Sequence, residues 1–186
     1  METFFNPLSV AIVGATEKPG SLPGIILKNL LSMGFKGKMY PVNPKYETVF
    51  GLNCFPSILD IPDEVALTVI AIPAPWVLDV LQQQAHKRIR HAIIISAGFR
   101  EKGAEGIEME ERIRRVAIEN DMRILGPNCL GVLDNYTNFT TSFLSWERVS
   151  IPKKGSLSIL SQSGAFAIAL LDLAAQEGLG IAKMIN

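Results

Sequence analysis

The chain has 186 residues, 48% of them hydrophobic and 19% charged, which excludes a disordered chain and gives length for one good domain, or one domain plus part of another. Eighteen basic residues offset eighteen acidic ones, so no electrostatic case exists for nucleic acid or for a membrane surface. The two cysteines, Cys54 and Cys129, form no C-x-x-C pair and suggest neither a zinc site nor a disulfide framework.

In chain order, an acid at Glu2 and the lack of a long apolar core argue against a signal peptide, and no apolar run approaches membrane-spanning length. A cytoplasmic protein is expected. Val10 to Val13 is too short for a helix and branched enough for a buried strand. Gly14 ends it, Ala15 to Gly20 is loop chemistry, Ser21 suits an N-cap and Pro23 a first helical turn. Leu22, Ile26, Leu30 and Met33 recur at helical spacing until Gly34. Strand, glycine loop and helix start aim backbone N–H groups and a helix dipole at one point above a sheet, where a phosphate can sit.

Lys38 to Val42 is a second strand, running into Asn43-Pro44-Lys45, and an irregular stretch follows with a short helix near Ser57–Leu59. Leu67 to Ile72 reads as a third strand covered on both faces, broken by Pro73-Ala74-Pro75. Pro75 can open a helix carrying Val77, Leu78 and Leu81, with His86 near its end, where positive charge suits the dipole. His86 and His91 both read as structural. Ala92 to Ser96 is a fourth strand, ending in Ala97-Gly98-Phe99-Arg100. Ala104 to Asn120 is an amphipathic helix with Ile107, Ile113, Val116 and Ala117 on its apolar side. Glu108/Arg112, Glu110/Arg114 and Glu111/Arg115 are spaced as i,i+4 pairs, which marks a solvated face and not a binding patch. Met122 to Leu125 is the fifth strand, ending in Gly126-Pro127-Asn128-Cys129-Leu130-Gly131.

Five strands alternating with helices predict an α/β fold with a doubly wound parallel sheet, whose ligands bind outside the carboxyl ends of the strands. The loops converging there are Gly14–Gly20, Asn43–Lys45, Pro73–Pro75, Ser96–Phe99 and Gly126–Gly131. The first lacks the G-x-G-x-x-G fingerprint of a dinucleotide site. An NAD site also wants an acid after the second strand, to hold the ribose hydroxyls; Lys45 there favours a ligand with a further phosphate on its ribose. Coenzyme A and NADP both satisfy that condition. From Val132 to Ser150 the period is lost, with strand character expected only around Asn138–Phe143. After Pro152-Lys153-Lys154-Gly155 the theme restarts: Ser156 to Leu160 as a strand, Ser161 to Gly164 as a turn, Ala165 to Gln176 as a helix, and a further strand from Ile181. About thirty residues cannot bury a core alone. Either this last unit packs onto the first domain or the natural protein continues past Asn186, and the second is the expectation.

The motifs together resemble one family. Phe4-Phe5-Asn6-Pro7, Gly14-Ala15-Thr16, Tyr40-Pro41-Val42-Asn43-Pro44-Lys45, Ile95-Ser96-Ala97-Gly98-Phe99, Gly126 to Gly131 and Ser161-Gln162-Ser163-Gly164 occur in the order and at the separations of the N-terminal region of ADP-forming acyl-CoA synthetases, the acid–CoA ligases. More distantly the chain resembles the α subunit of succinyl-CoA synthetase. The resemblance implies a Rossmann-like CoA-binding domain over residues 1–130, a crossover over 131–154, and, over 155–186, the first βαβ unit of a second, flavodoxin-like ligase domain. It implies a reaction that passes acid, CoA and ATP through an acyl phosphate and a phosphohistidine to acyl-CoA, ADP and phosphate. By resemblance, Gly14, Thr16, Glu17, Lys18 and Pro19 lie at the CoA phosphates and Lys45 faces one of them. Pro73 and Pro75, with Ile95, Ser96 and Ala97, flank the adenine and pantetheine. Ser161, Ser163 and Gly164 hold the phosphate carried by the histidine.

That histidine is expected downstream. Neither His86 nor His91 lies in a matching motif, so no catalytic residue and no metal ligand is assigned to this chain. ATP, ADP and Mg are expected to bind only through regions that it does not contain. The implied partners are a small-molecule acid and the rest of the ligase, as C-terminal domains or an ATP-grasp subunit, in a homo- or hetero-oligomer. Ile168 stands where the succinyl enzymes have a tyrosine, which argues against a succinate-like acid. A CoA sensor or the ligase-like region of a protein acetyltransferase would use the same cradle. An NADP-dependent oxidoreductase explains Lys45 but not the missing fingerprint. A serine hydrolase at Ser163 lacks the elbow's glycine and an acid–histidine pair.

Overall fold

The apolar run at Ser9–Val13 is β1, next to the edge of a five-stranded parallel sheet in the computed structural model, which describes residues 1–145 and 152–186. It leads through the glycine loop into α1 (Leu22–Met33) and β2 (Lys38–Val42). A small hairpin of β3 (Thr48–Val49) and β4 (Leu52–Asn53) and a 3-10 turn at Ile58–Asp60 precede β5 (Leu67–Ile70). Then come α2 (Val77–His86), β6 (His91–Ile94), α3 (Ala104–Glu119) and β7 (Arg123–Leu125). The sheet order is β2-β1-β5-β6-β7, every pair parallel.

Alternation along β1 divides the core. Val10 and Ile12 face α1, packing with Ile26, Leu27 and Leu30, while Ala11 and Val13 face α2 and α3, packing with Val77, Leu81 and Ile113. Helices on opposite faces after β1 and β5 place the topological switch point between those two strands. The β5 ladder ends at Ile70 and not at Ile72, because Ile72 N–H leaves the ladder to donate to the Ser96 hydroxyl (3.2 Å). The buried stripe of α3 is also rotated from the predicted one. Ile107 is half exposed, and Gly106, Met109, Ile113 and Val116 face inward. Gly106 takes that place because the helix presses on the Phe99 carbonyl, where a Cβ would stand 1.8 Å from the oxygen. The charges of α3 pair differently too: Glu110 with Arg100 (2.7 Å) and Glu111 with Arg114 at i,i+3 (3.8 Å).

A second sheet, β10-β11-β8-β9, is built from β8 (Val132–Asp134), β9 (Phe139–Thr140), β10 (Lys154–Leu160) and β11 (Ile181–Ile185), with α4 (Gly164–Gln176) between the last two. The stretch read as a crossover thus supplies two strands, and β8 pairs antiparallel with β11; the part of that reading on residues 146–151 lies outside the described residues. Asn29, buried on α1, donates to the carbonyls of Ser142 (3.0 Å) and Leu144 (2.8 Å) and so ties the two units together. Among the described residues no helix is long and apolar enough to cross a membrane.

Candidate functional site

The carboxyl ends of β1, β2, β5, β6 and β7 point the same way, and their five loops form one rim. At the switch point Gly14 has φ +96°, and a Cβ there would stand 2.7 Å from the Ala71 carbonyl and 2.8 Å from Ile72 Cγ2. Only glycine lets the first loop lie this close to the end of β5.

The next three residues are each held by the segment after β2. Asn43 Nδ2 donates to the Ala15 carbonyl (2.9 Å), Thr16 Oγ1 donates to the Tyr46 hydroxyl (3.2 Å), and Phe50 N–H donates to Glu17 Oε1 (2.5 Å). Lys18 N–H folds back onto Thr16 Oγ1 (3.3 Å). Lys18 and Pro19 are exposed at the loop's tip. Lys45 sits between these anchors; its N–H donates to Asn43 Oδ1 (3.0 Å), and its side chain is exposed. The structure therefore brings Gly14, Thr16, Glu17, Lys18, Pro19 and Lys45 into one loop pair. The sequence did not point to Asn43 or Tyr46 as the link between them.

On the third and fourth loops Pro73, Pro75 and Ala97 are exposed at the rim, while Ile95 and Ser96 are buried. Ile95 N–H donates to the Ile70 carbonyl (2.9 Å), extending the sheet by one bond past β6. Ser96 Oγ donates to the Ile72 carbonyl (2.5 Å) and accepts from its N–H, so this hydroxyl ties the fourth loop to the third. Beside it Glu101 accepts from Gly98 N–H (2.5 Å), a bond that lowers the carboxyl's pKa below its ordinary value.

Ser161 and Ser163 form the turn before α4. Ser163 N–H donates to Ser161 Oγ (3.1 Å), and Ser163 Oγ caps the helix by accepting from Phe166 N–H (3.3 Å). Gly164 opens the helix in contact range of Leu130. Asn186 joins this turn to the fifth loop: its amide donates to the Ser161 carbonyl (2.9 Å) and its Oδ1 accepts from Leu130 N–H (2.7 Å). That bridge gave no signal in the sequence.

Both histidines lie at the other end of the sheet. His86 ends α2 and His91 begins β6, where its ring stands edge-on to Phe4 (5.4 Å) and burial pushes its pKa down. Cys129 donates to the Ile94 carbonyl (3.4 Å), and burial pushes its thiol up to about 11, which disfavours the thiolate a nucleophile needs. Among the described residues no group of three or more His, Cys, Asp or Glu side chains could hold a metal ion.

The model of the CoA binding domain family matches residues 8–135. An ADP-forming acetate–CoA ligase of Methanocaldococcus jannaschii is 41% identical over 180 residues, covering 97% of this chain and 24% of the relative. The α subunit of ADP-forming acetate–CoA ligase I of Pyrococcus furiosus is 38% identical over 190 residues, covering all of this chain and 40% of that subunit. The solved acetyl-coenzyme A synthetase 1 of Ca. Korarchaeum cryptofilum, in complex with phosphate and ADP, superimposes with a TM-score of 0.91 at 38% identity, over 100% of this chain and 39% of that one. The chain spans about a quarter of the length of the single-chain ligases it matches.

Proposed function

The chain belongs to the CoA binding domain family, and from that premise we propose that its crevice holds coenzyme A for a longer ADP-forming acid–CoA ligase. Such an enzyme turns acid, CoA and ATP into acyl-CoA, ADP and phosphate. CoA supplies the thiol that accepts the acyl group; the task of this chain's residues is to bind and orient it. The observation that carries the reading is the loop pair after β1 and β2, where a glycine-opened first loop at the switch point meets Asn43-Pro44-Lys45, with a lysine in the place of an NAD site's acid.

The first helix also suits an anion. Ser21 is the N-cap of α1 but makes no side-chain cap bond, the first turn contains no acid, and Ser21 Oγ is buried without a hydrogen-bond partner. An uncompensated helix start and an orphaned hydroxyl beside one loop favour phosphate oxygens there. In this reading Gly14, Thr16, Lys18 and Pro19 form the cradle, Lys45 meets a phosphate, and Pro73, Pro75, Ile95, Ser96 and Ala97 shape the wall beside adenine and pantetheine. The Ser161–Gly164 turn, tied by Asn186 to the fifth loop, would hold the phosphate carried by a histidine supplied elsewhere in the ligase.

Calorimetric titration tests the ligand. The chain should bind CoA more tightly than NAD in a side-by-side measurement, and equal or tighter NAD binding overturns the proposal. A second measurement tests the division of labour. Mixed with acetate, CoA, ATP and Mg, this chain alone should form no acetyl-CoA and take up no acid-labile phosphate. Phosphohistidine detected on His86 or His91, with turnover lost on substitution, would overturn it.

A further inference from the structure

We infer that Glu17 is a positioning residue: its bond to Phe50, with those of Asn43 and Tyr46 to Ala15 and Thr16, braces the first loop against the segment after β2, and it does not contact the ligand. Three consecutive residues, Ala15, Thr16 and Glu17, are bonded in turn to Asn43, Tyr46 and Phe50 of one segment. The inference takes its functional meaning from the proposed CoA site, but the brace itself can be tested without ligand.

The segment that supplies the brace is itself fixed. Its hairpin is closed by Cys54 N–H on the Glu47 carbonyl (2.8 Å) and tied back to the edge of the parallel sheet by Phe55 N–H on the Pro41 carbonyl (2.9 Å) and Asn43 N–H on the Phe55 carbonyl (2.9 Å). Its tip is Phe50-Gly51, with φ of 48° and 75°, the conformation of a type I′ turn. Phenylalanine is poorly suited to that left-handed region, where glycine and asparagine are the usual residues. The Glu17 carboxylate accepts the N–H of this disfavoured residue and so ties the turn and the first loop to each other. A carboxylate beside a phosphate cradle repels an anionic ligand. Spent on Phe50, it contributes shape, and its charge is a cost to the anion that the loop is shaped to hold.

The two roles separate by substitution. Glu17→Gln keeps an oxygen for Phe50 N–H and removes the charge, whereas Glu17→Ala removes both. Amide hydrogen exchange and CoA titration on the full chain read the outcome. Glu17→Ala should speed exchange of the Phe50 amide about tenfold or more and weaken CoA about tenfold. Glu17→Gln should hold the Phe50 exchange rate within a factor of about two and bind CoA about twofold tighter than wild type at low salt. Glu17→Gln weakening CoA as much as Glu17→Ala would mean that the charge meets the ligand side, and would overturn the inference. So would an unchanged Phe50 rate in Glu17→Ala. Should Glu17→Ala fail to fold, Tyr46→Phe removes only the oxygen that Thr16 donates to, and CoA binding equal to wild type in that variant overturns the brace. If wild type binds no CoA, the functional reading falls by itself, and the exchange rates alone decide the brace.

Discussion

Gly24→Ala should destabilise the protein by about 1–3 kcal/mol and weaken CoA binding by about tenfold to a hundredfold. Gly24 lies in the first turn of α1, where the helix passes under the first loop. A Cβ there would stand 2.4 Å from the Thr16 carbonyl oxygen and 2.5 Å from Ser21 Oγ. Two effects of opposite sign compete. Alanine is a better helix former than glycine by about 1 kcal/mol, which taken alone would stabilise the helix. The clash, however, is with backbone, and the loop cannot retreat freely because Asn43, Tyr46 and Phe50 hold residues 15–17 from the far side. The steric term therefore wins. Any relief moves the Thr16 carbonyl or the Ser21 hydroxyl, and so disturbs the first loop and the helix start proposed to face an anion. Gly20→Ala is the informative comparison: its φ of +75° makes alanine strained, yet nothing lies within 4 Å of a Cβ there. It should cost only about 1–2 kcal/mol of left-handed strain. Urea denaturation and CoA calorimetry on both variants check the pair. A Gly24→Ala protein as stable as wild type would show that loop and helix part easily, and that the brace is weak.

The alternation of apolar runs with helical periods was enough to read the parallel sheet, because buried parallel strands and amphipathic helices carry strong local signals. The hairpin at Thr48–Asn53 was not legible. A two-residue hairpin is normally announced by Asn-Gly or Asp-Gly, and here a phenylalanine occupies the first turn position, held by the bond its N–H donates to Glu17, thirty-three residues away in the chain. The rotated face of α3 is hidden in the sequence for a related reason. Periodicity assigns the core to the large apolar residue, Ile107, but the Phe99 carbonyl needs a glycine against it, and Gly106 is beside it in the sequence. Of the candidate site, the five loops were readable because glycine and proline mark them. The bonds between loops were not, since Asn43, Tyr46 and Asn186 are ordinary polar residues whose partners lie far away in sequence.

Lys45→Ala should weaken CoA binding by about tenfold to a hundredfold, the equivalent of a charge-assisted phosphate contact of about 1.5–3 kcal/mol. The backbone of Lys45 is held through Asn43 to the first loop, while its side chain is exposed. Among the described residues its ammonium has no ion-pair partner, so its removal should change folding stability by less than about 0.5 kcal/mol. A loss of affinity in this variant therefore reports the ligand and not the fold. Comparing CoA with dephospho-CoA on both proteins then locates the contact. If Lys45 meets the 3′-phosphate, dephospho-CoA should bind wild type weakly and Lys45→Ala about equally weakly, because the group that the lysine recognises is already gone. A pyrophosphate contact makes the substitution hurt both ligands alike. Raising the salt should shrink the effect in either case, since an exposed ammonium is screened within about 10 Å at 0.1 M ionic strength. Lys45→Ala binding CoA as tightly as wild type at low salt would move the ligand off the second strand and leave the first loop without the cation that distinguishes this crevice from an NAD site.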